Sequence, residues 1–130
     1  ARVAVCVGVP AVRVGVGEAP GVPRVADLVF DVRFLPNPHW QAHLRPLLGT
    51  DAPVREFVFS DPDAQEFLDR IESLLDFLLP RFEKEGKAYV TVAVGCTGGH
   101  HRSVAMAEEI AKHLVERGTD VTIRHRDVHR

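Results

Sequence analysis

The sequence predicts a single α/β domain of three-layer type, with helices packed on a central sheet of mixed or parallel strands. The segment from Lys87 to Val94 is a nearly continuous apolar run, which is typical of a buried strand. A polar, glycine-rich loop follows it, and the residues after this loop recur at helical spacing. With 130 residues and 45% hydrophobic content, the chain is long enough for one core. We therefore expect one domain over residues 1–130, with an anion-binding loop at a strand end and helix start.

Short apolar runs within the first 31 residues predict three β-strands. Val3 to Val7 and Val12 to Val16 are each compatible with a strand, with a turn at Gly8 to Pro10 between them. Glycine and proline interrupt both apolar runs, which would suit an extended edge equally well. Ala26 to Asp31 is a clearer strand because it carries consecutive large apolar residues.

A polar cluster follows that strand. Asp31 and Arg33 lie on the same side if the strand continues, because side chains alternate along a strand. Two prolines stiffen the next residues and place His39 and Trp40 at the far end of a rigid loop. His39 is then either part of a site with Asp31 and Arg33 or an ordinary solvated loop histidine.

The middle of the chain predicts two helices. Asp51 and Pro53 suit the cap and first turn of a short helix. Asp61 and Pro62 begin a long helix to about residue 85, on which Pro80 is expected to produce a kink or an end. Its apolar residues form one stripe, which predicts either core or a dimer face of a homo-oligomer: Phe67, Leu68, Ile71, Leu74, Leu75, Leu78 and Leu79. Gly86 then stops the helix.

The central loop carries the most chemical information. Gly98 and Gly99 allow consecutive backbone N–H groups to turn around one oxyanion. Arg102 offers two parallel N–H donors, and Thr97 and Ser103 offer hydroxyl groups. These residue types at a helix start favour phosphate.

Three interpretations of this loop compete. It is a phosphate receptor, a cysteine phosphatase, or a plain connection without a ligand. In the phosphatase, Cys96 would be the nucleophile, Arg102 the phosphate clamp, and Asp31 or His39 the general acid. The Cys96-x5-Arg102 spacing suits both ligand-binding alternatives, so the loop alone does not separate them.

The C-terminal part predicts a helix over residues 103–117, closed by Gly118, and a last strand from Asp120 to Arg124. The tail that follows is modestly basic. Its arginines suit either an ordinary solvated end or contact with RNA phosphates: Arg124, Arg126 and Arg130.

Composition excludes several classes of protein. The net charge of −2 argues against nucleic-acid binding through the overall field. No apolar run reaches the length of a membrane span, so we expect a cytosolic protein. The two cysteines, Cys6 and Cys96, lack metal-site spacing. His39 and His43 form a His-x3-His pair but have no thiolate or carboxylate nearby at metal spacing, so we expect no disulfide, metal or other cofactor.

Three segments together resemble the C-terminal domain of the RapZ RNase-adapter family. They are Phe30 to Trp40, Leu44 to Leu47 and Gly95 to Ser103, and the resemblance covers about residues 26–126. It implies a non-enzymatic domain that senses glucosamine-6-phosphate. In some bacteria the family also binds small RNA and presents it to an endoribonuclease.

The resemblance implies a sugar-phosphate site built from the two polar loops: Asp31, Arg33 and His39 with Cys96, Thr97, Gly98, Gly99, His101 and Arg102. The family's N-terminal half binds nucleotide through a P-loop, but this chain has no Gly-x4-Gly-Lys-Ser/Thr sequence. Gly86-Lys87 is followed by Ala88, so nucleotide binding is not carried over to these residues.

Overall fold

The computed structural model describes residues 2–9, 26–95 and 101–125. Their four strands form one parallel sheet in the order β2-β3-β1-β4. The strands are β1 (Arg2–Val9), β2 (Leu28–Asp31), β3 (Tyr89–Gly95) and β4 (Asp120–His125). The predicted α/β class is thereby confirmed. The predicted strand from Val12 to Val16 lies outside the described residues.

The register of the sheet brings two strand ends side by side. Asp31, the last residue of β2, pairs with Gly95, the last residue of β3. The N–H group of Val32 extends this pairing by donating to the Gly95 carbonyl at 2.8 Å. Because the strands are parallel, the loops after β2 and β3 leave the same edge of the sheet.

The described residues also form three α-helices, which pack together next to the sheet. They are α1 (Ala52–Val58), α2 (Pro62–Lys84) and α3 (Arg102–Glu116), and a short 3₁₀ turn spans Pro38–Trp40. The central helix is α3, which contacts β1, β3 and β4 on one side and both α1 and α2 on the other. Its N-terminal turn therefore lies close to the edge where β2 and β3 end.

Local sequence signals explain the ends of the long helices. The Asp61 carboxylate accepts from the Asp63 N–H group at 2.9 Å and caps α2. Both α2 and α3 end in a Schellman motif with a left-handed glycine, Gly86 at φ +83° and Gly118 at φ +82°. After α3, for example, Gly118 donates to Val115 and Thr119 to Leu114, both at 2.9 Å. The predicted glycine stops are confirmed.

Pro80 does not end α2, which runs on to Lys84. A proline inside a helix removes one N–H donor and disturbs the carbonyl one turn earlier. Here the Arg81 guanidinium donates to the neighbouring Phe77 carbonyl at 2.6 Å. Four further helical residues and the Schellman motif at Gly86 complete the C-terminal turns. Of the two predicted effects of Pro80, an end of the helix is excluded, and α2 has the predicted extent to about residue 85.

The core lies between the sheet and the helices. From α2 it takes Leu68, Ile71, Leu75 and Leu79, which confirms most of the predicted stripe as core, whereas Leu74 is exposed. From α3 it takes a longer set: Val104, Ala105, Met106, Ala107, Ile110 and Leu114. No helix of the described segments has the length and apolar character that crossing a membrane requires.

Candidate functional site

The candidate site lies where β2 and β3 end and α3 begins. Asp31 and Gly95 face each other in the sheet, and Arg102 is the first residue of α3. In parallel α/β sheets, ligands bind beyond the carboxyl ends of the strands. The first turn of α3 adds the positive end of a 15-residue helix dipole. This edge of the sheet therefore favours an anion.

The middle of the predicted phosphate loop spans residues 96–100. Cys96, Thr97, Gly98 and Gly99, together with His100, lie outside the described residues. Their predicted roles, as phosphate ligands or with Cys96 as a nucleophile, remain predictions. The described residues on either side nevertheless set the two ends of this loop, at Gly95 and His101.

Arg102 is a buried cation at the start of α3. Only 5% of its surface is exposed, and its Nη1 donates to the backbone carbonyls of Arg33 at 2.5 Å and Leu35 at 3.4 Å. Within the described ranges, no carboxylate forms a salt bridge with it. Burial of a charge is costly without compensation, so an anion here would find a cation already desolvated and oriented.

Asp31 and Arg33 form a close ion pair, although β2 ends at Asp31. Arg33 Nε lies 2.7 Å and Nη2 2.6 Å from Asp31 Oδ2. The backbone N–H group of Arg33 also donates to Asp31 Oδ1 at 2.9 Å. The carboxylate thus holds both the turn after β2 and the Arg33 guanidinium.

The pKa of Asp31 is lowered from its ordinary value of 3.8. Partial burial raises this pKa, but the opposing contributions prevail: the hydrogen bonds from the Arg33 side chain and backbone, and the charges of Arg33 and Arg102. Asp31 is consequently an ionised carboxylate at neutral pH. The same ion pair raises the pKa of Arg33.

His101 and Ser103 are both buried at the N-terminus of α3. His101 is the N-cap residue, but its side chain makes no capping bond to the helix. Instead its Nε2 lies 2.7 Å from the carbonyl oxygen of Leu47. A carbonyl only accepts, so Nε2 carries the proton in this bond.

The segment Leu44–Asp51 is the part of the site that sequence reasoning missed. It supplies the carbonyl of Leu47 and the buried Gly49, which packs directly on the start of α3. The motif Leu44 to Leu47 carried part of the family resemblance, but no residue chemistry there indicated a role. A single glycine in a turn does not by itself indicate what it packs against, so the sequence carried no signal for this segment.

The structure does not bring His39 into contact with Arg102. The His39 ring is exposed and lies 5.5 Å from the Trp40 ring, which is itself 74% exposed. The backbone around it is held, because Asn37 caps the His39 N–H group at 3.1 Å and Arg45 Nε donates to the His39 carbonyl at 2.7 Å. His39 therefore stands on a fixed turn of the same loop as Asp31.

Of the predicted RNA contacts, Arg124 lies exposed on β4. Arg126 and Arg130 lie outside the described residues. Arg124 pairs in register with Cys6 on β1. The pKa of the Cys6 thiol is raised from its ordinary value, because burial raises it by more than the charge of Arg124 lowers it. Across the described segments, no three His, Cys, Asp or Glu side chains gather as metal ligands.

Comparisons with known proteins identify the family of the chain. Residues 15–129 match the family model for the RapZ C-terminal domain. A nucleotide-binding protein of Corynebacterium jeikeium is 54% identical over 110 residues, which is 85% of this chain and 38% of that protein. One of Rhodospirillum rubrum is 56% identical over 108 residues, 83% of this chain and 34% of that protein. A nucleotide-binding protein of Desulforudis audaxviator is 51% identical over 117 residues, which is 90% of this chain and 40% of that protein. The chain spans less than half the length of these curated relatives.

Proposed function

Since this chain belongs to the RapZ C-terminal domain family, we propose that it is a phosphosugar-binding regulatory domain that senses glucosamine-6-phosphate and performs no chemistry on it. The observation that carries the proposal is Arg102, a buried guanidinium at the N-terminus of α3 beside the ends of β2 and β3. Its surroundings favour one dianionic group.

The phosphate end of the ligand would lie against α3. Nη1 of Arg102 is already engaged with the Arg33 and Leu35 carbonyls, so Nη2 and Nε are the donors for phosphate oxygens. The backbone N–H groups of Thr97, Gly98 and Gly99 and the hydroxyl of Ser103 complete the proposed phosphate site. Cys96 takes part as a ligand contact and not as a nucleophile, and His101 flanks the phosphate.

The sugar end would face the loop after β2. Asp31 is ionised and surrounded by Arg33 and Arg102, so an incoming ammonium group would meet a carboxylate already held in place. Arg33 and His39 would donate to ring hydroxyls. Selection for an amino sugar follows from Asp31, because a neutral hydroxyl gains less from a carboxylate than an ammonium does.

Small RNA and an endoribonuclease are proposed as partners because the chain belongs to this family. Small RNA would contact the basic C-terminal strand and tail through Arg124, Arg126 and Arg130, and the domain would act as an adapter for an endoribonuclease. A ligand at the α3 start would regulate that function. These roles are proposed for a protein of the relatives' length, of which the matched regions make up 38%, 34% and 40%.

Calorimetry with a panel of sugar phosphates tests the proposal. The panel contains glucosamine-6-phosphate, glucose-6-phosphate, N-acetylglucosamine-6-phosphate and inorganic phosphate. Glucosamine-6-phosphate is expected to bind most tightly and to be recovered unchanged. It should stabilise the chain by about 2.7 kcal/mol at a hundredfold excess over the dissociation constant. Absence of binding by every member would overturn the proposal.

A parallel assay separates the receptor from a cysteine phosphatase. The wild-type chain and Cys96→Ser are incubated with an activated aryl phosphate, and inorganic phosphate is measured. A receptor releases none with either chain. Steady release that disappears in Cys96→Ser would assign the loop to catalysis, with Cys96 as nucleophile and Arg102 as clamp.

A further inference from the structure

We propose that Gly49 is a positioning residue for the phosphate site. Its missing side chain lets the Leu44–Asp51 segment sit against the first turn of α3 and place His101 and Arg102. The inference rests on the proposed function for its ligand, but the positioning itself has a readout that needs no ligand.

Gly49 lies at a close backbone approach. A Cβ atom built on it would meet the His101 carbonyl oxygen and the Val104 Cβ, both at 2.5 Å, and the Ala105 nitrogen at 2.8 Å. Real Cβ atoms essentially never lie this close to other atoms, and two of the three are backbone atoms that cannot rotate away. They also belong to one helical bond, because Ala105 donates to the His101 carbonyl at 2.9 Å. Any side chain at position 49 must therefore push the Leu44–Asp51 segment and the first turn of α3 apart.

Two hydrogen bonds fasten the Leu44–Asp51 segment around this contact. His101 Nε2 donates to the Leu47 carbonyl at 2.7 Å, which ties the segment to the N-cap of α3. The Asp51 carboxylate accepts from the Leu48 N–H group at 2.7 Å, which holds the turn containing Gly49 closed. The segment is thus shaped by its own turn and anchored by the residue just before Arg102.

The opposite side of the helix start is held by Arg102. Its guanidinium reaches the carbonyls of Arg33 and Leu35 in the loop after β2. The start of α3 is therefore clamped between two segments, the loop after β2 and the Leu44–Asp51 segment. A displacement from the Gly49 side would carry Arg102 away from its carbonyl partners and from the proposed phosphate position. Charge-assisted bonds to phosphate lose strength when their geometry is lost.

The test compares Gly49→Ala with Gly118→Ala. Gly118 ends the same helix at φ +82° with nothing within 4 Å of a built Cβ, so its substitution strains the backbone without a clash. The two positions lie at opposite ends of a 15-residue helix, which is about 22 Å long. Calorimetry with glucosamine-6-phosphate, at a temperature where both variants are folded, should show affinity about tenfold weaker in Gly49→Ala. Gly118→Ala should remain within about twofold of wild type.

The second readout is the ¹⁵N NMR signal of the His101 ring, assigned by its loss in His101→Gln. In the wild type and in Gly118→Ala, a hydrogen-bonded Nε2–H signal is expected, and in Gly49→Ala it should shift or exchange rapidly. An unchanged ring signal together with unchanged affinity in Gly49→Ala overturns the inference. If the wild-type chain binds no sugar phosphate, the proposed function falls, and the ring signal alone decides whether Gly49 positions the helix start.

Asp51→Ala serves if Gly49→Ala does not fold. This variant removes the bond that closes the turn at Leu48 but adds no volume at the contact. The affinity is expected to weaken about fivefold, because one hydrogen bond that shapes the segment is lost. Wild-type affinity and a wild-type His101 signal in Asp51→Ala would count against the positioning role.

Discussion

The Arg102 guanidinium donates to the backbone carbonyl of Arg33 at 2.5 Å, a contact between residues 69 positions apart in the chain. It joins the first residue of α3 to the turn after β2. On that turn, Asp31 holds the Arg33 side chain in an ion pair, with Nη2 2.6 Å from Oδ2. One arginine thus links the start of α3 to the loop that carries Asp31.

Replacement of Arg102 is expected to remove most of the phosphate affinity. In Arg102→Ala, glucosamine-6-phosphate binding should weaken by about 2 kcal/mol or more, because charge-assisted bonds are lost from a buried position. Arg102→Lys should bind better than Arg102→Ala but worse than wild type, since a lysine lacks the planar set of donors. Calorimetry measures all three, and Arg70→Ala on the exposed face of α2 is the control. Unchanged affinity in Arg102→Ala would refute the site.

Acetylation of the ligand's amino group tests the role of Asp31. N-Acetylglucosamine-6-phosphate should bind about tenfold more weakly than glucosamine-6-phosphate, because the ammonium charge that faces the carboxylate is gone. In Asp31→Asn this preference should shrink. Competition between the two ligands for the wild-type chain measures the difference, and equal binding would remove Asp31 from amino-sugar recognition.

The stability of the chain should fall in acid partly because of Asp31. Its folded-state pKa lies below the ordinary value of 3.8, so the unfolded chain binds the proton more readily. The stabilising contribution is therefore fully present above the ordinary value and is lost as pH falls through the folded pKa. Urea unfolding from about pH 7 to about pH 2.5 should show a shallower acid decline in Asp31→Asn than in wild type. An identical decline in both chains would contradict this assignment.

The basic C-terminal strand and tail are predicted to determine RNA affinity. The variant with Arg124, Arg126 and Arg130 all changed to Ala should bind small RNA more weakly and with a flatter dependence on salt, because fewer counterions are released. Gel shifts over a range of salt concentrations measure both effects. Arg55→Ala, whose side chain pairs with Glu109 on α3, is a control that removes one positive charge elsewhere, against three in the triple change. RNA binding that is insensitive to the triple change would leave the tail as an ordinary solvated end.

The sequence alone determined the α/β class and the strands that flank the candidate site. Local rules sufficed for these features. The continuous apolar run before Gly95 predicts a buried strand, Asp61 predicts a helix start, and Gly86 and Gly118 predict helix ends. Each depends on the pattern of a few neighbouring residues, so no knowledge of distant contacts is needed.

Only the tertiary structure decided how these parts meet. Local rules left open whether Pro80 kinks or ends α2; the proline remains within the helix, because completion of the C-terminal turns and packing of the helix outweigh one lost backbone bond. The contact of Gly49 with His101 and the bond from Arg102 to Arg33 each join segments more than 50 residues apart. Backbone carbonyls and the missing side chain of a glycine leave no chemical signature in a sequence. Their roles arise only when packing places them against the start of α3.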